Sequence, residues 1–211
     1  MKVLIACEYS GRSRDAFLRL GHDAMSCDLL PTDVPGPHYQ GDVRDVLGER
    51  WDLIIAHPEC TYITNSGVRW LDRDITRWKK LYEACQFFKL FLDHPCERVA
   101  IENPIPHKYA RDWIGTRYSQ IIQPWQFGHG ETKATCLWLK GLPKLTPTDI
   151  VSGREGRIHM LPPSEDRWKI RSETYMGIAN AMASQWGGDD AISASLDVFT
   201  LPLFAGLEMV A

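Results

Sequence analysis

The stretch Lys2-Val3-Leu4-Ile5-Ala6-Cys7, then Glu8-Tyr9-Ser10-Gly11, then Arg14-Asp15-Ala16-Phe17-Leu18-Arg19-Leu20, decides the fold. Its first part is a continuous run rich in β-branched and aliphatic residues with no alternation, which predicts a strand buried on both faces. After Gly11 the apolar residues recur three or four apart, the spacing of a helix with one buried stripe. Gly21-His22 closes that helix as a C-cap does, and Asp23-Ala24-Met25-Ser26-Cys27-Asp28 returns as a second strand ending on a carboxylate. A β-α-β unit therefore opens the chain.

Working outward, Pro31, Pro35, Gly36 and Pro37 predict a loop from Pro31 to Gly41. Trp51 to Ala56 reads as a buried strand that stops at His57-Pro58-Glu59-Cys60, and Arg98 to Pro104 as another that stops at its own proline. Asp74 to Leu92 has the periodicity of one long amphipathic helix. Thr135 to Leu139 suits a strand and Thr174 to Trp186 a final helix. Strands alternating with helices predict the α/β class: a doubly wound, mostly parallel, Rossmann-like sheet with helices on both faces, taking ligands at the carboxyl ends of its strands.

The chain has 211 residues, enough for one domain with a substantial core, expected here over 1–187. Residues 188–211 are read as a tail whose apolar patch, Val198 to Phe204, docks on the body, pairs with another chain in a homodimer or stays loose. Hydrophobic residues at 44% and charged residues at 24% exclude a disordered or fibrous chain. A net charge of -3 leaves any nucleic-acid contact to a local basic face. No run suits a membrane span or an export signal, and six scattered cysteines without C-x-x-C spacing fit reduced thiols and no structural zinc. The expected location is cytoplasmic.

Four polar clusters fall where strands run out: Glu8 to Gly11, Asp28, His57 to Cys60, and Glu102-Asn103. Carboxylates after the first two strands suit a nucleotide-like cofactor, with backbone N–H groups near Gly11 facing its charged end, Asp28 taking ribose hydroxyls and Asp42 facing adenine. Glu8 and Asp28 read equally as solvated loop carboxylates. Cys60, two residues past a strand-stopping proline, projects toward the cleft, and Arg69, Lys133 and His57 are candidates to lower its pKa. A Glu102 carboxyl that stays protonated, or shares a proton, can hydrogen-bond a ring nitrogen while a thiolate adds elsewhere; its structural alternative is a cap or a pair with Arg98.

Taken in order, Pro58-Glu59-Cys60, Glu102-Asn103, Phe127 to Thr135 and Gly177 to Ala183 resemble the DNA (cytosine-5) methyltransferases, especially short phage and prophage forms, over residues 1 to about 187. The resemblance implies methyl transfer from S-adenosylmethionine to carbon 5 of cytosine in a bacterial host cell, through a covalent adduct at Cys60. Glu102 inherits the acid role, Asn103 positions it, and Lys133 completes the catalytic set. Glu8, Tyr9, Ser10, Gly11, Asp28, Asp42 and Pro58 fall to the cofactor, and Glu59, Arg69, Lys133 and Thr135 to the substrate. Three departures stand out. Glu59 replaces the second proline of the nucleophile loop and puts a negative charge beside the thiol. Glu131-Thr132-Lys133-Ala134-Thr135 stands where the family has Gln-x-Arg-x-Arg. Between Thr135 and Thr174 there is room only for a loop around Ser152 to Arg157 in place of a target-recognition domain.

The implied partner is DNA, duplex or single-stranded, or a free pyrimidine nucleotide. Arg69, Arg73, Lys108, Arg111, Lys133, Arg154, Arg157, Arg167, Lys169 and Arg171, interleaved with Trp70, Trp113, Trp125 and Trp168, read either as a phosphate-tracking, base-stacking set or as a solvated surface over core tryptophans. Two rivals remain. His57-Pro58-Glu59 matches the H-x-E of zinc-dependent cytidine deaminases, with Pro95-Cys96 as a partial P-C-x-x-C whose last cysteine is replaced by Val99. A methyltransferase-like module that binds nucleotide, DNA or protein without catalysis is the other.

Overall fold

Strand β1 (Lys2–Ala6) is an interior strand of the sheet, and the chain is laid out from it. In chain order come α1 (Arg12–Arg19), β2 (Asp23–Asp28), β3 (His38–Gln40), α2 (Arg44–Leu47), β4 (Leu53–Ala56), α3 (Asn65–Val68), α4 (Thr76–Leu92), β5 (Val99–Pro104), α5 (Lys108–Ile114), β6 (Gln120–Ile122), β7 (Thr135–Lys140), α6 (Arg157–Met160), α7 (Arg167–Ser172) and α8 (Met176–Trp186). The structure, a computed structural model, describes residues 1–165 and 167–188. Residues 189–211, with the expected Val198 to Phe204 patch, lie outside the described residues.

The strands form one seven-stranded sheet in the order β3-β2-β1-β4-β5-β7-β6. The first five are parallel, whereas β7 runs antiparallel to β5 and to β6. Order reverses between β1 and β4, which is where a doubly wound sheet opens a crevice at its carboxyl edge. Because side chains alternate along a strand, β1 sends Leu4 and Ala6 to one core and Val3 and Ile5 to the other. The first core receives Leu81, Cys85, Phe88 and Phe91 of α4 with Ala110 and Ile114 of α5. The second receives Ala16 and Phe17 of α1 and Ile178, Met182 and Trp186 of α8. The sheet is thus covered on both faces, as the alternation predicted.

Several expectations are corrected. The loop from Pro31 to Gly41 contains β3, whose His38 pairs with Ser26 and gives the sheet a short edge. That loop is held by Arg14, a fully buried guanidinium that donates to Ser26, Thr32 and the Val34 and Pro35 carbonyls. Four further elements, α2, α3, α5 and β6, were not anticipated, and the segment read as a loop between Thr135 and Thr174 carries α6 and α7. Among the described residues no helix is long and apolar enough to cross a membrane.

Candidate active site

Register alone assembles the first part of the site. Ala6 is level with Cys27 on β2 and with Ala56 on β4, and Ala56 with Ile101 on β5. One residue further along, Asp28, Cys7, His57 and Glu102 stand abreast across four neighbouring strands. Cys7 takes a left-handed backbone, φ 59°, which turns the chain out of β1 and is strained for a residue with a Cβ. Its thiol is pushed far up by burial, with the charge of Asp28 adding to the effect.

His57 Nδ1 and Glu102 Oε2 are 2.8 Å apart, with side chains only 12% and 15% exposed. Burial by itself would lower His57 and raise Glu102. Their mutual hydrogen bond and charge override it, so that His57 lies above its ordinary value and Glu102 below, with Lys133 also drawing Glu102 down. Each partner thus favours the charged form of the other, and the 2.8 Å bond lets the two share one proton. Glu102 does not pair with Arg98, which reaches the Met1 sulfur and the Trp186 carbonyl instead.

Cys60 follows on the loop leaving β4. Asn103 Nδ2, buried at the end of β5, donates to the Pro58 carbonyl at 2.9 Å, so Asn103 holds the cysteine loop where Glu102 had been the expected beneficiary. The Cys60 carbonyl accepts from Ile63 and Thr64 N–H groups at 3.1 Å, and the sulfur therefore heads a tight turn. Burial raises its thiol pKa; Lys133 and Arg171 oppose that, and Glu59 and Glu102 reinforce it. Glu59 thus acts in the expected direction from an exposed position, but behind burial and two cations. Of the three proposed activators Lys133 is the one seen to draw the thiol down, while His57 is bonded to Glu102 and the Arg69 guanidinium sits 5.0 Å from the Trp70 ring.

Lys133 arrives because β7 is reversed. Thr135, its first residue, is level with Pro104 at the end of β5, so the segment before it lies on the same rim as Cys60. Gln123 accepts from the Lys133 N–H at 3.0 Å, and Lys133 Nζ donates to the Glu173 carbonyl at 3.2 Å. Thr135 is buried and its hydroxyl donates to the Lys133 carbonyl, so in this structure it shapes the lysine's backbone.

On the cofactor side, Glu8 is buried, with one oxygen accepting from Ser10 and the other lacking a hydrogen-bond partner among the described residues. Gly11 has φ 75°, and a Cβ there would come within 2.5 Å of Val34 Cγ2. Asp28 Oδ1 accepts from the Leu30 N–H, and burial raises its carboxyl. Asp42 departs from expectation: its two oxygens take the Arg44 N–H at 2.9 Å and guanidinium at 2.7 Å, leaving it attached to α2. Tyr9 is engaged by the chain itself: its hydroxyl is 2.9 Å from Ser172 Oγ and its ring lies 6.1 Å from Trp168.

Those last partners belong to α7, which straps the rim. Lys169 binds Asp33 at 2.7 Å and Arg12 binds Glu173 at 2.5 Å. Arg171 reaches the Cys60 environment by this route, a role that spacing gave no sign of. Also missed was Glu131, a buried carboxylate that accepts from Arg157 and from the Tyr175 hydroxyl at 2.8 Å. Arg157, read from the sequence either as phosphate-tracking or as solvated surface, is tied there. Beyond the cysteine turn, Trp70 is 40% exposed between Arg69 and Arg73 at 5.0 and 5.3 Å, whereas Trp113 packs among Trp78 and Tyr82.

The zinc reading fails on topology. Ile54 and Val99 are level, and His57 lies three residues beyond the former while Cys96 lies three before the latter, which puts them toward opposite ends of the strand pair. Cys96 instead donates to the Trp51 and Arg98 carbonyls. Among the described residues no group of three or more His, Cys, Asp or Glu side chains is arranged to hold a metal ion.

No family model matches the sequence, and no curated protein matches it. Among solved structures the chain is similar to a protein described as a DNA modification methyltransferase encoded within an E. coli prophage, with TM-score 0.48 and 16% identity, over 71% of this chain and 51% of that one. It is also similar to the methyltransferase EhMeth of Entamoeba histolytica, with TM-score 0.43 and 13% identity, over 77% of this chain and 60% of that one. The chain therefore spans only half to three fifths of the length of either.

Proposed function

We propose that the chain is an S-adenosylmethionine-dependent methyltransferase acting on carbon 5 of a cytosine in DNA, with Cys60 as a covalent nucleophile. The observation that carries the reading is the junction of β4 and β5: a cysteine loop pinned by Asn103, with the proton-sharing pair His57–Glu102 level beside it and Lys133 entering from β7. The motif order quoted from the sequence supports the same chemistry.

The residues at the ends of β1 and β2 fit the donor in part. The free buried oxygen of Glu8 suits a cationic amine, the tight left-handed Gly11 lets a ligand approach backbone N–H groups, and Asp28 suits hydroxyls. Asp42 does not fit, being committed to Arg44. When bound there, S-adenosylmethionine supplies an electrophilic methyl group carried on a sulfonium.

The chain's own residues do the rest. Lys133 and Arg171 stabilise the Cys60 thiolate against burial, and its sulfur adds to carbon 6 of the pyrimidine. The ring's electron pair moves toward the ring nitrogen, which takes a proton from the His57–Glu102 pair, leaving carbon 5 nucleophilic. Once carbon 5 carries the methyl group, its proton leaves to water, the S–C6 bond breaks, and thiolate and shared proton are restored. A target base within a duplex must first leave the stack, at a cost of roughly a few kcal/mol.

Tritium transfer from labelled S-adenosylmethionine to duplex DNA, single strands and dCMP tests the reading. Wild type should label at least one of the three, and Cys60→Ser none, with ligand affinity unchanged. A fluorinated cytosine analogue should leave an adduct on Cys60. Incorporation into none of the three overturns the reading and favours a binder that transfers nothing, a module for which the raised Cys60 thiol and the strapped Tyr9 are the specific arguments.

A further inference from the structure

His57 does more than occupy a strand end. Its Nδ1 is bonded to Glu102 on β5, while its Nε2 is buried and has no hydrogen-bond partner among the described residues. Three elements bring negative charge to it: Glu102 from β5, Glu8 from the turn after β1, and Asp28 from the end of β2. Lys133, ahead of β7, is the cation that opposes them. An imidazole placed among three carboxylates and one ammonium is set up to carry a proton.

A lone glutamate cannot serve well as the acid near neutral pH. With an ordinary carboxyl pKa of about 4.3, fewer than roughly one molecule in a thousand is protonated at pH 7.5, and Glu102 lies below the ordinary value. An imidazole that holds a second proton, 2.8 Å away, would put the missing proton one hydrogen bond from the carboxyl.

We propose that His57 is the proton store of this site, a positioning residue that supplies, through Glu102, the proton taken by the ring nitrogen of the bound pyrimidine and recovers it in each turnover. The proposal rests on the pyrimidine reading above. As the S–C6 bond forms, the ring nitrogen gains an electron pair and takes a proton from Glu102. The Nδ1 proton of His57 follows onto Glu102 and leaves a neutral imidazole. When the S–C6 bond breaks, the ring nitrogen returns its proton to Glu102 and the imidazole is recharged, with no net consumption of either residue.

The test has one arm that needs no activity. In the full chain labelled with 13C-histidine, the His57 signal, identified by its loss in His57→Gln, should titrate above the ordinary histidine value. It should fall below that value in Glu102→Gln and move down by less in Glu8→Gln. An ordinary or low titration in wild type, or one that Glu102→Gln leaves in place, overturns the proposal. In the second arm His57→Gln should lose about 100-fold in kcat at pH 7.5 with the donor KM within about twofold, the low end of what a general acid contributes, and its pH optimum should move to the acid side. An unchanged pH profile overturns the proposal; should His57→Gln fail to fold, sequential assignment of the wild type identifies the signal instead, and the titrations of wild type and Glu102→Gln decide it. Should wild type transfer no methyl to any substrate, the pyrimidine reading falls on its own, while the titration still decides whether His57 holds the proton.

Discussion

Reactivity at Cys60 is a contest between burial, which holds the proton on sulfur, and the cations of Lys133 and Arg171, with Glu59 a weaker contributor. Alkylation by iodoacetamide reads the thiolate directly. Lys133→Met should slow modification of Cys60 several-fold at pH 8, whereas Glu59→Gln should quicken it by less than about twofold, because exposed charges are screened. The reverse ranking contradicts the geometry. The His57–Glu102 pair also has a signature in stability. His57, raised in the folded state, contributes stability that is fully present below its unfolded value and is lost as pH rises through the folded one. Glu102, lowered, contributes above the ordinary carboxylate value and loses it as pH falls through its own. Urea unfolding from pH 3 to 9 should therefore show a maximum between about pH 4.3 and 6.5, and His57→Gln should flatten it. The chain advertised Cys60, His57 and Glu102 by setting them where strands end. It could not advertise the approach of Arg171 to Cys60, or the joining of Glu131 to Arg157 and Tyr175, since those partners are far apart in the chain and meet only in the folded molecule.

Among the elements, long and strongly patterned ones were readable and short ones were not. The strand Asp23–Asp28 was delimited as observed, and α4 within two residues at its start. β3 and β6, of three residues each, carry too little pattern to stand out from a loop. The direction of β7 was also hidden, because side-chain alternation is the same whichever way a strand runs. α8 explains the small residues of its motif: a Cβ at Gly177 would drive into the Phe127 carbonyl, and the Gly177 N–H donates to His129 at 3.0 Å. Gly177→Ala should accordingly cost about 1–3 kcal/mol in denaturant unfolding, with loss of protection from hydrogen exchange concentrated in α8. Wild-type stability in that variant contradicts the packing.

At the scale of the whole molecule, a net charge of -3 gives phosphate no general welcome. Affinity for a strand must come from local cations, and Arg69 and Arg73 beside the exposed Trp70, past the cysteine turn, are the best placed. Binding of a fluorescent oligonucleotide should weaken with salt at a slope of about −0.7 to −0.9 per phosphate engaged. Replacing both arginines by glutamine should reduce that slope by nearly two units, and Trp70→Ala should cost about 1–3 kcal/mol with the slope preserved. A double arginine variant with the wild-type slope moves the nucleic-acid face elsewhere.

Reversal of β7 also divides the molecule into tolerant and intolerant ground for anyone grafting new sequence onto it. Its entry, Glu131 to Lys133, belongs to the reactive rim, while Gly48 to Arg50, ahead of β4, turns in open solvent on the opposite one. An epitope inserted at Arg50 should leave thermal unfolding and donor affinity close to wild type. The same insert between Gly130 and Glu131 should abolish labelling even where the graft still folds.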